Sequence, residues 1–63
     1  MNIYEVILCT NHHYGNGHIE RENEQPRRVL AKDGESAVKK AKKEIAYSEP
    51  TLEGLKLVMS DVS

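Results

Sequence analysis

The chain has 63 residues, enough for one small domain and too few for two, so we expect a single domain over residues 1–63. Nine lysines and arginines against ten aspartates and glutamates give a net charge of −1, which excludes the overall basic excess typical of nucleic-acid-binding proteins. A single cysteine excludes an intramolecular disulfide, and the sequence has neither a signal-peptide pattern nor a long apolar segment, so we expect a cytoplasmic protein.

The N-terminal segment Ile3–Thr10 is rich in aliphatic and β-branched side chains, which predicts a buried central strand. Farther along, Asn16 and Gly17 form the dipeptide preferred in two-residue type I′ hairpin turns. A turn at this point would pair residues whose numbers sum to 33, placing apolar opposite apolar and acid opposite base. The predicted pairs are Tyr4–Val29, Ile3–Leu30 and Glu5–Arg28.

The second predicted strand runs from Arg27 to Lys32. The residues before it are poor strand formers, and Pro26 lacks the N–H group needed for a ladder hydrogen bond. We therefore expect the hairpin tip, between about Asn11 and Gln25, to be a loop.

A helix is predicted after the second strand. Asp33 can cap the free backbone amides of a first turn, and the helix should continue to Ala46 or Tyr47 because Pro50 follows shortly afterwards. Apolar residues at three- and four-residue spacing form one stripe along it. These residues are Ala37, Val38, Ala41 and Ile45.

The last predicted strand contains Leu55, Leu57 and Met59, which alternate with other residues in the period of a strand with one buried face. A right-handed crossover through the helix gives the sheet order 2-1-3 with antiparallel neighbours throughout. The predicted class is α+β: a β-β-α-β chain forming a three-stranded antiparallel sheet with one helix packed on one face. The predicted core is Val6, Leu8, Val29, Val38, Ala41, Ile45, Leu55 and Leu57.

A cluster of possible metal ligands surrounds the hairpin, but its spacing matches no standard zinc site. Its members are Cys9, His12, His13 and His18. The sequence also contains no recognisable nucleophile and base arrangement and no phosphate-binding glycine loop. We therefore expect neither a metal site nor a cofactor, and a protein that is not an enzyme.

Lysines are concentrated on the predicted helix, where they could meet an acidic protein surface or phosphates, or could simply be solvated. The candidate partner-binding residues are Lys39, Lys40, Lys43, Arg27, Arg28 and Lys56. The last strand carries only one charge between Leu55 and Met59, so its edge is a second candidate for docking, including the formation of a homodimer.

The segment Val29–Val38, with Pro50 and the strand Leu55–Met59, resembles the small early RNA polymerase inhibitors of T-odd coliphages. The shared pattern is a strand that ends in alanine, a capped helix with alanine on its inner face, and a proline before an alternating strand. This resemblance implies a helix packed on a three-stranded antiparallel sheet. It also implies a phage protein that acts in the host cytoplasm by blocking a bacterial protein, such as RNA polymerase or a defence complex, without chemistry.

A second hypothesis is a small RNA-binding module that uses the basic helix. The order of two strands, an alanine-containing helix and a final strand is similar to that of archaeal ribosomal proteins of the LX type. RNA binding should weaken steeply with added salt, whereas a packed protein interface should respond less. Salt dependence would therefore separate the two hypotheses.

Overall fold

The computed structural model describes residues 1–62, apart from the side chain of Tyr47, and contains one antiparallel sheet with a helix packed on it. The predicted α+β class is confirmed. In chain order the elements are β1 (Asn2–His13), β2 (Ile19–Asn23), β3 (Arg27–Ala31), α1 (Gly34–Glu44), a 3₁₀ turn (Ala46–Ser48) and β4 (Thr51–Met59).

The long strand β1 is the centre of the sheet, and every other strand pairs with it in antiparallel orientation. Residues 3–6 of β1 pair with both β3 and β4, so these two strands lie on opposite sides of β1. Cys9 likewise pairs with both β2 and β4. The second predicted strand corresponds to β3, and the third to β4, so the predicted 2-1-3 order of these strands around β1 is confirmed. β2 is an additional strand on the β3 side of β1, so the sheet has four strands where three were predicted.

The hairpin tip differs from the prediction of a loop between Asn11 and Gln25. β1 continues to His13 and pairs with β2, because cross-strand backbone hydrogen bonds form even though the side chains are polar. The turn is also not the predicted two-residue type I′ turn. The amide of Tyr14 donates to the carbonyl of His18 and Gly17 donates to Tyr14, closing a three-residue loop in which Gly17 has φ +84°.

The register of β2 and β3 changes by one residue along the second side of the hairpin. Cys9 lies opposite Asn23, whereas Val6 lies opposite Arg27, so the segment 24–26 opposes only residues 7 and 8 of β1. We call this segment the bulge. Pro26 lies in the bulge, outside the paired part of the strand, so its missing N–H group costs no ladder hydrogen bond. Beyond the bulge the predicted pairs of Tyr4, Ile3 and Glu5 with β3 are confirmed.

Helix α1 begins as predicted. Asp33 has extended backbone angles, and its carboxylate accepts a hydrogen bond from the amide of Ser36 at 2.8 Å. The α-helix ends at Glu44, short of the predicted Ala46 or Tyr47. There the chain tightens, because the amide of Ile45 donates to the carbonyl of Lys42. The 3₁₀ turn follows, and Glu49 caps it with φ 49°.

The core lies between α1 and the face of the sheet that carries Val6 and Leu8. Ala41 and Ile45 are buried there, as predicted, and Val29 and Val38 pack against the cluster while remaining partly exposed. The prediction missed the two other alanines of the cluster, Ala31 and Ala37, although both are buried. The buried cluster is Val6, Leu8, Ala31, Ala37, Ala41 and Ile45.

The prediction that Leu55 and Leu57 belong to the core is wrong. Both lie opposite core-facing residues of β1, Val6 and Tyr4, and therefore on the helix side of the sheet. Their side chains nevertheless remain 45% and 51% exposed. The reason is the position of α1, which packs mainly against β3 and β1 and reaches β4 at few points.

The molecule is elongated, measuring 49 × 15 × 14 Å along its principal axes. The outer part of the hairpin, residues 12–22, carries exposed side chains throughout and extends beyond the part of the sheet that α1 covers. We call these residues the hairpin arm. The sheet and helix at the other end therefore hold the core, and the arm contributes none of it.

Candidate protein-binding surfaces

One face of α1 carries three lysines around a small apolar floor. Lys39, Lys42, Lys43 and Ala46 recur at helical spacing, so their side chains lie on one side of the helix and its following turn. Together with Pro50 they line an open groove of about 430 Å³. We call it the lysine groove, and its rim is cationic whereas Ala46 and Pro50 are apolar.

The lysines of the groove face away from the sheet because the opposite face of α1 packs against it. Ala37 and Ala41 are fully buried, and small side chains let the helix approach β1 and β3 closely. The lysines of the groove lie on the side of the helix turned away from this contact. Within the described part of the chain, no ion pair involves their amino groups.

Two further residues of the predicted basic set, Lys40 on α1 and Arg27 on β3, hold the helix against the sheet. The ammonium group of Lys40 donates to the carbonyl of Leu30 at 2.7 Å, and Arg27 forms an ion pair with Glu44 at the end of the helix. Both contacts join α1 to β3. We therefore assign Lys40 and Arg27 a role in helix docking as well as surface charge.

The remaining two residues of the predicted basic set, Arg28 and Lys56, lie on the face of the sheet away from α1. Arg28 and Lys56 both lie opposite Glu5 of β1, one on each side of it. The six predicted partner-binding residues are thus distributed over two faces, and only Lys39 and Lys43 line the groove. Lys42 was missing from the predicted set, although its spacing from Lys39 would have identified it.

The strand β4 presents a second surface. Leu52, Leu55 and Leu57 lie opposite Leu8, Val6 and Tyr4 and so project on the helix side of the sheet, where each is 43–51% exposed. We call these three residues the leucine row. Val58 and Met59 at the end of the strand are exposed as well. This much apolar surface on one strand is unusual in a protein that acts as an isolated monomer.

The hairpin arm carries the three histidines, each close to a glutamate. The Nε2 atoms of His12, His13 and His18 lie 3.5, 3.9 and 3.4 Å from carboxylate oxygens, and all three pairs are exposed. His12 faces the helix side of the sheet, whereas Cys9 and His13 occupy alternate positions that face the other side. Among residues 1–62, no three potential ligands converge in a way that could hold a metal ion.

Comparisons with known proteins leave these surfaces as the basis for any assignment. No protein-family model matches the chain, and neither a curated protein nor a solved structure matches it. Within the described residues, no helix has the length and apolar character needed to cross a membrane.

Proposed function

We propose that this protein is a non-enzymatic binding module that holds an acidic segment of another protein in the lysine groove. The observation that supports the proposal is the combination of three lysines with the apolar floor formed by Ala46 and Pro50. Carboxylates of the partner would meet the ammonium groups at the rim. An apolar side chain of the partner would lose its contact with water on the floor.

The charge distribution supports an acidic partner. The chain as a whole has a net charge of −1, so any attraction for an acidic segment must be local. The groove supplies that local field, with three positive side chains within about one helical turn. Rim charges of this kind mainly speed association and select the partner, while the apolar contact slows dissociation.

We further propose the narrower role that the resemblance to the early phage inhibitors implies. In this role the protein acts in a bacterial host cell and blocks a host protein, such as RNA polymerase or a defence complex, by occupying part of its surface. An RNA-binding module using the same lysines is the competing proposal. The apolar floor favours the protein partner, because a phosphate backbone gains nothing from it.

Capture from nuclease-treated bacterial lysate tests the proposal. The tagged protein should retain a specific partner, identified by mass spectrometry, and Lys39→Gln/Lys43→Gln should retain less of it. Each exposed charge pair contributes about 0.2–1 kcal/mol, so affinity for the purified partner should fall about 2- to 30-fold. If the partner is an enzyme, the wild-type protein should inhibit it.

The matched control is Arg28→Gln/Lys56→Gln, which removes the same charge from the opposite face of the sheet. We expect it to retain the partner, and circular dichroism should verify that both double variants are folded. Equal capture by the two variants would contradict the assignment of the groove. Capture that occurs only in a parallel lysate without nuclease treatment would favour the RNA-binding alternative.

A further inference from the structure

The strand β4 is an edge of the sheet. Within the described residues it pairs with β1 alone, so the backbone groups on its outer side have no strand partner. Nine residues correspond to an edge of about 30 Å. Natural edge strands are usually short or protected by charge and proline, whereas Leu52–Met59 offers only Glu53 and Lys56 as charges.

The other edge of the sheet is protected in the usual manner. β3 begins with two arginines, Arg27 and Arg28, and follows Pro26, and the bulge interrupts the strand before it. The contrast between the two edges indicates that β4 is the edge built for pairing. The buried cluster contains three alanines, so the core buries little apolar surface. Burial of further apolar surface in an interface would therefore stabilise the fold.

We propose that a second copy of this chain pairs with β4, strand to strand and antiparallel, with Leu55 on the two-fold axis. A two-fold axis perpendicular to the sheet relates antiparallel neighbours and keeps the same face of each copy on the same side. The leucine rows of the two copies then lie side by side on the helix side of one continuous sheet. This interface is independent of the lysine groove and of its partner.

The register follows from charge. With Leu55 opposite Leu55 of the second copy, Lys56 lies opposite Gly54 of the second copy. Of the two neighbouring symmetric registers, one places Lys56 directly opposite Lys56, where like charges destabilise a sheet, and the other places Glu53 opposite Leu55. Gly54 offers no side chain to obstruct the lysine, so the first register combines apolar contact at the axis with no like charges directly opposite each other.

Symmetry also limits the assembly to two copies. An interface of β4 with itself uses the same surface on both partners and closes after one contact. Pairing of β4 with the β3 edge of another copy would instead leave open edges and continue into a filament. The protected β3 edge argues against that arrangement.

Cysteine cross-linking of the full chain tests the inference. Opposing residues in antiparallel strands have Cα atoms about 4.5–5.5 Å apart, within the range of about 4.4–6.8 Å that a disulfide allows. Under mild oxidation Leu55→Cys should form covalent dimers. The matched control is Leu30→Cys, because Leu30 is 46% exposed, close to the 45% of Leu55, but lies on β3. It should remain monomeric in a denaturing gel.

Light scattering provides the second measurement. The wild-type protein should show a concentration-dependent dimer, and Leu55→Lys, which places two like charges at the axis, should shift it to monomer. Leu30→Lys should leave the dimer intact. A wild-type protein that is monomeric at concentrations on the order of 1 mM would overturn the inference. Cross-linking through Leu30→Cys as fast as through Leu55→Cys, or growth into larger assemblies, would also overturn it.

Discussion

Arg27, the first residue of β3, forms an ion pair with Glu44, the last residue of α1. The pair joins the C-terminal end of the helix to the sheet at the level of Val6, which lies opposite Arg27. The Nε atom of Arg27 is buried and has no hydrogen-bond partner among the described residues. Because part of the guanidinium has lost water, its contact with the carboxylate contributes more to helix docking than a fully solvated pair would.

Removal of either partner should therefore loosen the end of the helix. A double-mutant cycle of Arg27→Gln and Glu44→Gln should give a coupling energy of up to about 1 kcal/mol, the upper range for exposed pairs. Urea unfolding of the four proteins measures it. High salt should reduce the coupling, and a coupling of zero at low salt would contradict a stabilising role.

Ile45 should be the most sensitive position at the end of the helix stripe, because it is 3% exposed in the core. Ile45→Val should cost about 0.5–1.5 kcal/mol and Ile45→Ala about 2–5 kcal/mol. A domain of this size has roughly 3–9 kcal/mol of stability in total, so the alanine variant should be partly unfolded. Leu30→Ala, at an exposed position, should change the free energy of unfolding by less than about 0.5 kcal/mol.

The hairpin loop provides a matched pair of glycines. Gly17 has φ +84°, and Gly17→Ala should cost about 1–2 kcal/mol because side chains with a β-carbon avoid this region. Gly15 has open space around it and no such backbone angle, so Gly15→Ala should be nearly neutral. Amide hydrogen exchange in β2 is the measurement, since the cost falls on the hairpin arm. Equal exchange in the two variants would contradict the three-residue loop.

The helix cap should make stability depend on acid pH. The hydrogen bond from the Ser36 amide, aided by Lys32 and Lys39, holds the pKa of Asp33 below its usual 3.8. A group with a lowered folded pKa stabilises the fold above its unfolded pKa, and this contribution disappears as the pH falls through the folded value. Thermal melts of the wild type should therefore lose stability below about pH 3.8, and Asp33→Asn should remove this part of the acid sensitivity.

The register of β3 was predicted correctly because two errors in the predicted hairpin cancel. The loop contains three residues and not two, which lowers the sum of paired numbers by one along β2. The bulge then adds one residue to the second side of the hairpin and restores the predicted sum beyond it. Cross-strand pairing of Tyr4 with Val29 fixes that register through burial, whatever the tip does. The turn preference of Asn16 and Gly17 alone could predict neither the three-residue loop nor the bulge.

The candidate site was only partly predictable, because helical spacing defines the faces of a helix without saying which element each face meets. The sequence places Lys40 and Lys43 on one exposed surface, yet Lys40 bonds to the backbone of β3 and Lys43 lines the groove. The burial of Leu55 was likewise inferred from strand periodicity. That pattern identifies the side of the sheet but does not reveal that α1 leaves β4 uncovered.

The bulge at residues 24–26 has a consequence for how sequences of this type can diverge. It absorbs the difference in register between the hairpin arm and the rest of the sheet. An insertion or deletion in the Gly15–Gly17 loop should therefore be accommodated within the arm, leaving the neighbours of Tyr4 and Val6 unchanged. Chain length at the tip should vary among related sequences more freely than anywhere between β3 and β4, and a peptide tag inserted there should leave the domain intact.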